Sequence, residues 1–186
     1  PAGDSVAWCW NSAEPATSGF NIIEYTGDAN ATQAVAHGLS DTPEFITESA
    51  YTVYPQTEHV VLFTLDPLTM HPNESLKKLG ESIRKDPFFK PKGTNVNFVC
   101  SQQAHHIRLE TYERGVENFT LACGTGAIAS ALSMHIKQDG KMGLHSYKVE
   151  VQGGLLEISF DFAGVDSISK NEHVRPFTKV CLKGPA

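Results

Sequence analysis

The chain has 186 residues, 40% of them hydrophobic and 19% charged, with 15 basic against 21 acidic side chains and a net charge of −6. That length and composition suit one domain, or one domain plus a small appendage, with a real core, and exclude a disordered tail. The acidic balance argues against nucleic acid or an anionic membrane surface as a partner, and no run approaches the roughly 18 consecutive apolar residues of a membrane span.

In chain order, residues 1–47 are rich in Gly, Ala, Ser, Thr and Asn and hold one clear strand candidate, "FNIIEYT", which closes on a Gly-Asp turn. The rest of that stretch reads as short β structure or loop. The opening residues are not expected to be a signal peptide, and because the sequence starts at Pro1 rather than methionine its natural N-terminus is expected upstream. Composition changes near residue 48. "HVVLFTL" is a β-branched and aromatic run, hence a buried strand. "NESLKKLGESIRKD" opens on an Asn cap and repeats Leu76, Leu79 and Ile83 at helical spacing, so it predicts an amphipathic helix stopped by Pro87. "TNVNFVCS" and "HIRLETYE" alternate as strands. Residues 124–137 predict a second helix, apolar on nearly every face until His135 and therefore buried, with Gly140 as its natural end. "SYKVEV", a Gly153-Gly154 turn and "LLEISFDF" predict a hairpin, and "HVRPFTKVCLKG" supplies a last strand or two. The fold class is α+β, with a mixed or antiparallel sheet wrapped around one central buried helix and a short β-rich N-terminal extension.

Cys9, Cys100, Cys123 and Cys181 are scattered, with no CxxC among them, which argues against a zinc site or a disulfide framework. They are expected to be free thiols in a reducing cytosol, so the localisation expected is cytoplasmic, with Cys100 and Cys181 as core thiols on strands. Cys100 with His105 and His106 does not read as a metal site, because adjacent histidines on a strand point to opposite faces.

Cys123 stands apart, because "ACGTGAIA" sets it at the mouth of the predicted helix. The first N–H groups of that helix point back toward the thiol, and together with the positive end of the dipole they favour a thiolate and make a carboxylate site. Gly124 and Gly126 let a ligand approach the backbone, Thr125 adds a hydroxyl donor, and Glu113 and Arg114 offer partners for an amine and a carboxylate. The combination suits a thiol poised over a bound amino acid. Two plainer readings stand beside it: a packed core thiol, and a GxGxxA dinucleotide fingerprint, the latter opposed by the poor strand before it and the lack of an acid about 20 residues on.

These residues carry a resemblance. "ERGVENFTLACGTGA" resembles the ERGxGETLACGTGA segment of the diaminopimelate epimerase family; "KGTNVNFV" resembles its GTNVxFV strand, "HHIRLETYERG" its HIRLRxYERG strand, and "TEHVVLF" its NPHxVxF strand. The "PNESLKKLGESIRKDPFF" helix is similar to its LGxxIRxHPxF segment. The resemblance covers about residues 50–186. It implies a fold of two pseudo-symmetric α+β domains with the site between them, and a cofactor-free, two-base epimerisation of diaminopimelate (LL to meso) in which one cysteine removes the α-proton and another delivers a proton to the opposite face. Carried over, the resemblance implies Cys123 as one acid/base thiol, with His59 in support and Glu113 beside it. It further implies Gly124 and Thr125 holding the α-carboxylate, Glu113 and Arg114 on the polar ends, and Asn95 hydrogen-bonding the substrate. No cofactor and no metal is implied; the partner is a small-molecule amino acid, with neither nucleic acid nor membrane.

The chain also departs from that family. Nothing in it matches the family's other cysteine motif, EMCGNGxRC; Thr57 and Glu58 stand where the family has Asn-Pro; and "VCLKGPA" is followed by none of the family's closing strand. Residues 1–48 instead resemble a phage tail-fibre-like segment through "SVAWCWNS", "SGFNIIEYTG" and "VAHGLSDTPEFI". The expected organisation is therefore a tail-fibre-like segment at 1–48 and an epimerase-like domain at 49–186, truncated before its last strand. "GFNIIEYTG" replacing that strand is the alternative. An isomerase needing a missing N-terminal half, or a homodimer setting Cys123 opposite Cys123, is one functional expectation. An inactive fragment or a virion-associated binding module on the same scaffold is the second, and a proline racemase-like substrate the third.

Overall fold

The structure, a computed structural model, describes residues 5–10, 21–25, 50–54, 57–64, 71–138, 140–164 and 177–185. The predicted segment "VAHGLSDTPEFI" lies outside the described residues. Ten strands and two α-helices are described: β1 Ser5–Trp10, β2 Asn21–Tyr25, β3 Ala50–Tyr54, β4 His59–Thr64, α1 Glu74–Arg84, β5 Asn95–Gln103, β6 His106–Glu113, β7 Asn118–Phe119, α2 Gly124–Gln138, β8 Gly143–Val151, β9 Gly154–Phe162 and β10 Phe177–Pro185. The strands form one mixed sheet in the order β1-β10-β9-β8-β6-β5-β4-β3-β2, with the short β7 also on β6. The β4–β5 and β6–β8 pairs are parallel and the others antiparallel.

Alternation along the strands sorts side chains between the two faces. On β4, β5 and β6 the residues Val61, Phe63, Val99, Ile107 and Leu109 join the core beneath α2, while Val60, Leu62, Val96, Phe98, Cys100 and Tyr112 join the core beneath α1. These central strands are covered on both sides, which is why Asn95–Cys100 are buried without interruption.

Helix α1 begins where Asn73 caps it, its side chain accepting the Leu76 N–H at 2.9 Å. Leu76 and Leu79 lie against the sheet. Helix α2 is buried along ten consecutive residues, Gly126–His135, whose Gly, Ala and Ser side chains let strands approach closely. His135 belongs to that buried run, where the sequence suggests a polar end. Its Nε2 meets the Lys141 carbonyl at 3.0 Å. Past the helix, Gly140 takes φ +56 and its N–H reaches the His135 carbonyl at 3.0 Å, satisfying an end that carries no further turn.

Three sequence expectations need correcting. The β8–β9 turn is Gln152-Gly153, since Gly154 already pairs with Val151. The strand beside β10 is β1, the "SVAWCW" stretch, and not "GFNIIEYTG", which supplies β2 at the opposite edge of the sheet. Cys181 is disulfide-bonded rather than a free core thiol; the antiparallel register of β1 and β10 sets the Cα of Cys9 opposite its own, so the sheet supplies the proximity that sequence spacing hides. Cys100 and Cys123 are free.

Candidate active site

Polar residues interrupt the α2-facing core at one end of the central strands. By strand parity His59 on β4, Asn97 on β5 and Thr111 on β6 share the face that carries Val61, Val99 and Leu109, and they lie beside the first turn of α2. His59 is 1% exposed and Asn97 fully buried. The His59 Nε2 lies 2.9 Å from the Thr57 hydroxyl oxygen and 2.9 Å from that of Thr125, while its Nδ1 lies 3.0 Å from the Asn97 amide nitrogen. Burial lowers the His59 pKa to about 4, with the Asn97 contact acting against it, the Arg114 charge acting in the same direction as burial and Glu58 against it, so at neutral pH the ring is uncharged.

Cys123 occupies the cap position of α2. Its carbonyl accepts the Ala127 N–H at 2.8 Å, and its sulfur receives the N–H groups of Gly126 and Thr125, taking the place of the usual capping oxygen. The Thr125 hydroxyl lies 3.5 Å from Sγ. Gly126 is required by close approach: a Cβ there would stand 2.6 Å from Asn97 Oδ1 and 3.2 Å from Thr111 Oγ1. The sequence reading, that the helix mouth favours a thiolate, captures only part of the balance. Burial pushes the Cys123 thiol up, and the Glu113 carboxylate adds to it. The Thr125 hydroxyl and the Gly126 and Thr125 N–H groups pull it down without cancelling the rise.

Asn95 and Arg114 are knitted into the rim. The Asn95 side chain donates to the Glu58 carbonyl at 3.0 Å and accepts the Arg114 backbone N–H at 2.9 Å, which uses one hydrogen and one lone pair of an amide that has two of each. The Arg114 guanidinium donates to Glu58 Oε2 and to the Gly93 carbonyl, each at 3.0 Å. Burial alone would raise the Glu58 pKa, but its own backbone N–H, Arg114 and Lys92 together hold it below the ordinary carboxylate value. Glu113 ends β6, and Gly124 opens α2 exposed at the mouth.

The fold thus gathers His59, Thr125 and Cys123 into one chain of contacts, with Glu113 close enough to act on the thiol. Asn95 and Arg114 form the neighbouring rim. Cys100 lies in the core on the α1 side of the sheet and does not join them. Sequence reasoning noted Thr57 and Glu58 only as departures from the family pattern and missed Asn97 and Thr111. The one available signal was "TNVN", in which two asparagines at alternate positions of a strand must share a face. Among the described residues no group of three or more His, Cys, Asp or Glu could hold a metal, and no helix is long and apolar enough to cross a membrane.

The chain is also similar to known proteins. The sequence is 40% identical over 114 residues to the diaminopimelate epimerase of Flavobacterium psychrophilum, covering 61% of this chain and 40% of that protein. It is 57% identical over 60 residues to that of Aquifex aeolicus, covering 32% and 22%. The chain therefore spans less than half the length of these relatives. Among solved structures, a phenazine biosynthesis protein of the PhzF family from Bacillus anthracis superposes with TM-score 0.63 at 10% identity, over 98% of this chain and 58% of that one. A probable proline racemase from Agrobacterium radiobacter superposes with TM-score 0.51 at 18% identity, over 78% and 45%. At such identities both show a shared fold alone. The sequence model of the diaminopimelate epimerase family matches residues 51–171, more than half of the chain, and on that match the chain belongs to the diaminopimelate epimerase family.

Proposed function

We propose that this chain supplies one acid/base half-site of a cofactor-independent isomerase that epimerises diaminopimelate at its α-carbon. The observation that carries the reading is a free, half-buried thiol capping α2, with the Thr125 hydroxyl at 3.5 Å and an uncharged His59 behind that hydroxyl. Abstraction of a Cα proton needs a strong base, and a thiolate whose pKa has been raised by burial is a stronger base than one in water. In the step itself the Cys123 thiolate takes the α-proton as S–H. The electron pair passes into the α-carboxylate, held at the mouth of α2 by Gly124 and Thr125. Asn95, Glu113 and Arg114 orient the amine and the distal end. Inversion then needs a proton from the opposite face, from an acid other than the same chain's Cys123 or Cys100. A second lobe or a second copy of this chain supplies it. The sheet packed against α2 then forms one lobe of a two-lobed architecture, with residues 49–186 as the epimerase-like unit and 1–48 as a tail-fibre-like segment.

The test is α-proton exchange into deuterated water from LL- or meso-diaminopimelate, with Cys123→Ala as control and the oligomeric state recorded. Exchange with epimerisation, lost in the control, is the expected result. Exchange without inversion identifies a one-base half-site. No exchange from the folded protein refutes the enzymatic reading and leaves an epimerase-like scaffold, as in a virion-associated binding module.

A further inference from the structure

We infer that Asn97, a residue to which no role attaches, is a positioning residue that fixes the tautomer of His59 and thereby aims the Thr125 hydroxyl at the Cys123 sulfur. The inference rests on Cys123 as the reacting thiol. Its test does not require turnover.

The orientation of the Asn97 amide follows from its partners. One end lies 3.1 Å from the Val60 backbone carbonyl, which can only accept, so that end is the NH2 group. The other end accepts the Thr111 hydroxyl at 2.9 Å. A Cβ on Gly126 would collide with this same oxygen, so the amide is wedged between the strands and the first turn of α2. The NH2 group so placed also lies 3.0 Å from His59 Nδ1. An amide N–H facing a ring nitrogen requires a lone pair there, so Nδ1 is unprotonated and the neutral ring carries its hydrogen on Nε2.

That hydrogen faces the oxygens of Thr57 and Thr125, both at 2.9 Å. The Thr125 oxygen is therefore an acceptor toward His59, and the Thr125 hydrogen cannot point at a nitrogen that is already protonated. It is left for Cys123 Sγ at 3.5 Å, where it stabilises the thiolate. With the other tautomer the hydroxyl would donate to Nε2 and the sulfur would lose that donor. The direction of the whole chain, Asn97 to His59 to Thr125 to Cys123, is thus set by a backbone carbonyl on β4. The charged groups acting on its two ends are Glu113 at the thiol and Arg114 and Glu58 at the imidazole, and the variants below leave all three in place.

The experiment uses the full chain, labelled with 15N, and long-range proton–nitrogen spectra of its histidine rings, with His59 assigned by its loss in His59→Gln. The expected result is a neutral His59 protonated on Nε2. A second measurement follows the rate of Cys123 alkylation by iodoacetamide against pH, read at the Cys123 peptide by mass. In Asn97→Ala the thiolate fraction at a fixed pH below the thiol pKa should fall about tenfold, the scale of one lost charge-assisted hydrogen bond. In a Thr125→Val background Asn97→Ala should cause no further fall, because the route to the sulfur is already cut. His59 protonated on Nδ1 in the unaltered chain overturns the inference even if no variant folds. Effects of the two substitutions that simply add also overturn it. If the tautomer and the alkylation profile are as expected but diaminopimelate shows no exchange, the positioning stands and only the catalytic reading falls.

Discussion

Acidification should cost this fold stability through His59 in particular. The ring is buried and uncharged, with its pKa lowered from 6.5 to about 4. In the unfolded chain it binds a proton below 6.5, and in the folded chain only near 4, so the unfolded state holds more protons throughout that window. The sign follows: the stability that His59 contributes is fully present above 6.5 and is lost as pH falls toward 4. With one pK unit equal to about 1.4 kcal/mol, the loss on reaching pH ~4 is about 3 kcal/mol, a large share of the stability of a small domain. The assay is urea unfolding at several pH values between neutral and about 4, for the unaltered chain and for His59→Gln. Other carboxylates and histidines titrate in both proteins, so the quantity read is the stability difference between the two at each pH. That difference should shift by about 3 kcal/mol in favour of the variant as the pH falls. A difference that stays constant with pH would show that His59 is accessible to protons in the folded state, and the buried, neutral imidazole would have to be abandoned.

The remaining predictions concern packing and caps. Gly126→Ala places a methyl 2.6 Å from Asn97 Oδ1, so it should destabilise by about 1–3 kcal/mol in urea unfolding and also alter Cys123 alkylation; an unchanged midpoint would mean that Asn97 can rotate away. Asn73→Ala removes the acceptor of the Leu76 N–H and should cost about 1 kcal/mol, read as a lower unfolding midpoint with the slope unchanged. Leu132→Ala, fully buried in the core beneath α2, should cost about 2–5 kcal/mol, whereas Leu121→Ala, 67% exposed, should stay within about 0.5 kcal/mol. Equal effects of the last two on thermal unfolding would contradict the placement of α2.

Several parts of the molecule were legible in the chain itself, because their signals are local. Helical spacing of Leu76, Leu79 and Ile83 after Asn73, and the long small-residue run after Cys123, mark α1 and α2 within a residue or two of their observed ends. Alternation marks β5 and β6, and "CGTG" alone puts a thiol at a helix mouth. The ordered motifs from residue 51 onward mark the family.

Other features depend on which strand lies beside which, and short-range periodicity carries no such information. Only the tertiary structure sets β1 against β10, far apart in sequence, and with it the Cys9–Cys181 register that exposes the free-thiol reading of Cys181 as mistaken. Only it brings Asn97 and Thr111 across the β5–β6 ladder beneath Gly126, or turns Glu58 toward Arg114. The thiol shows the division most sharply. Sequence places Cys123 where helix N–H groups lower a pKa, yet its final value reflects how much water the folded chain removes, and burial wins. Desolvation is a sum over everything packed around a group, so it exists only once the chain has folded.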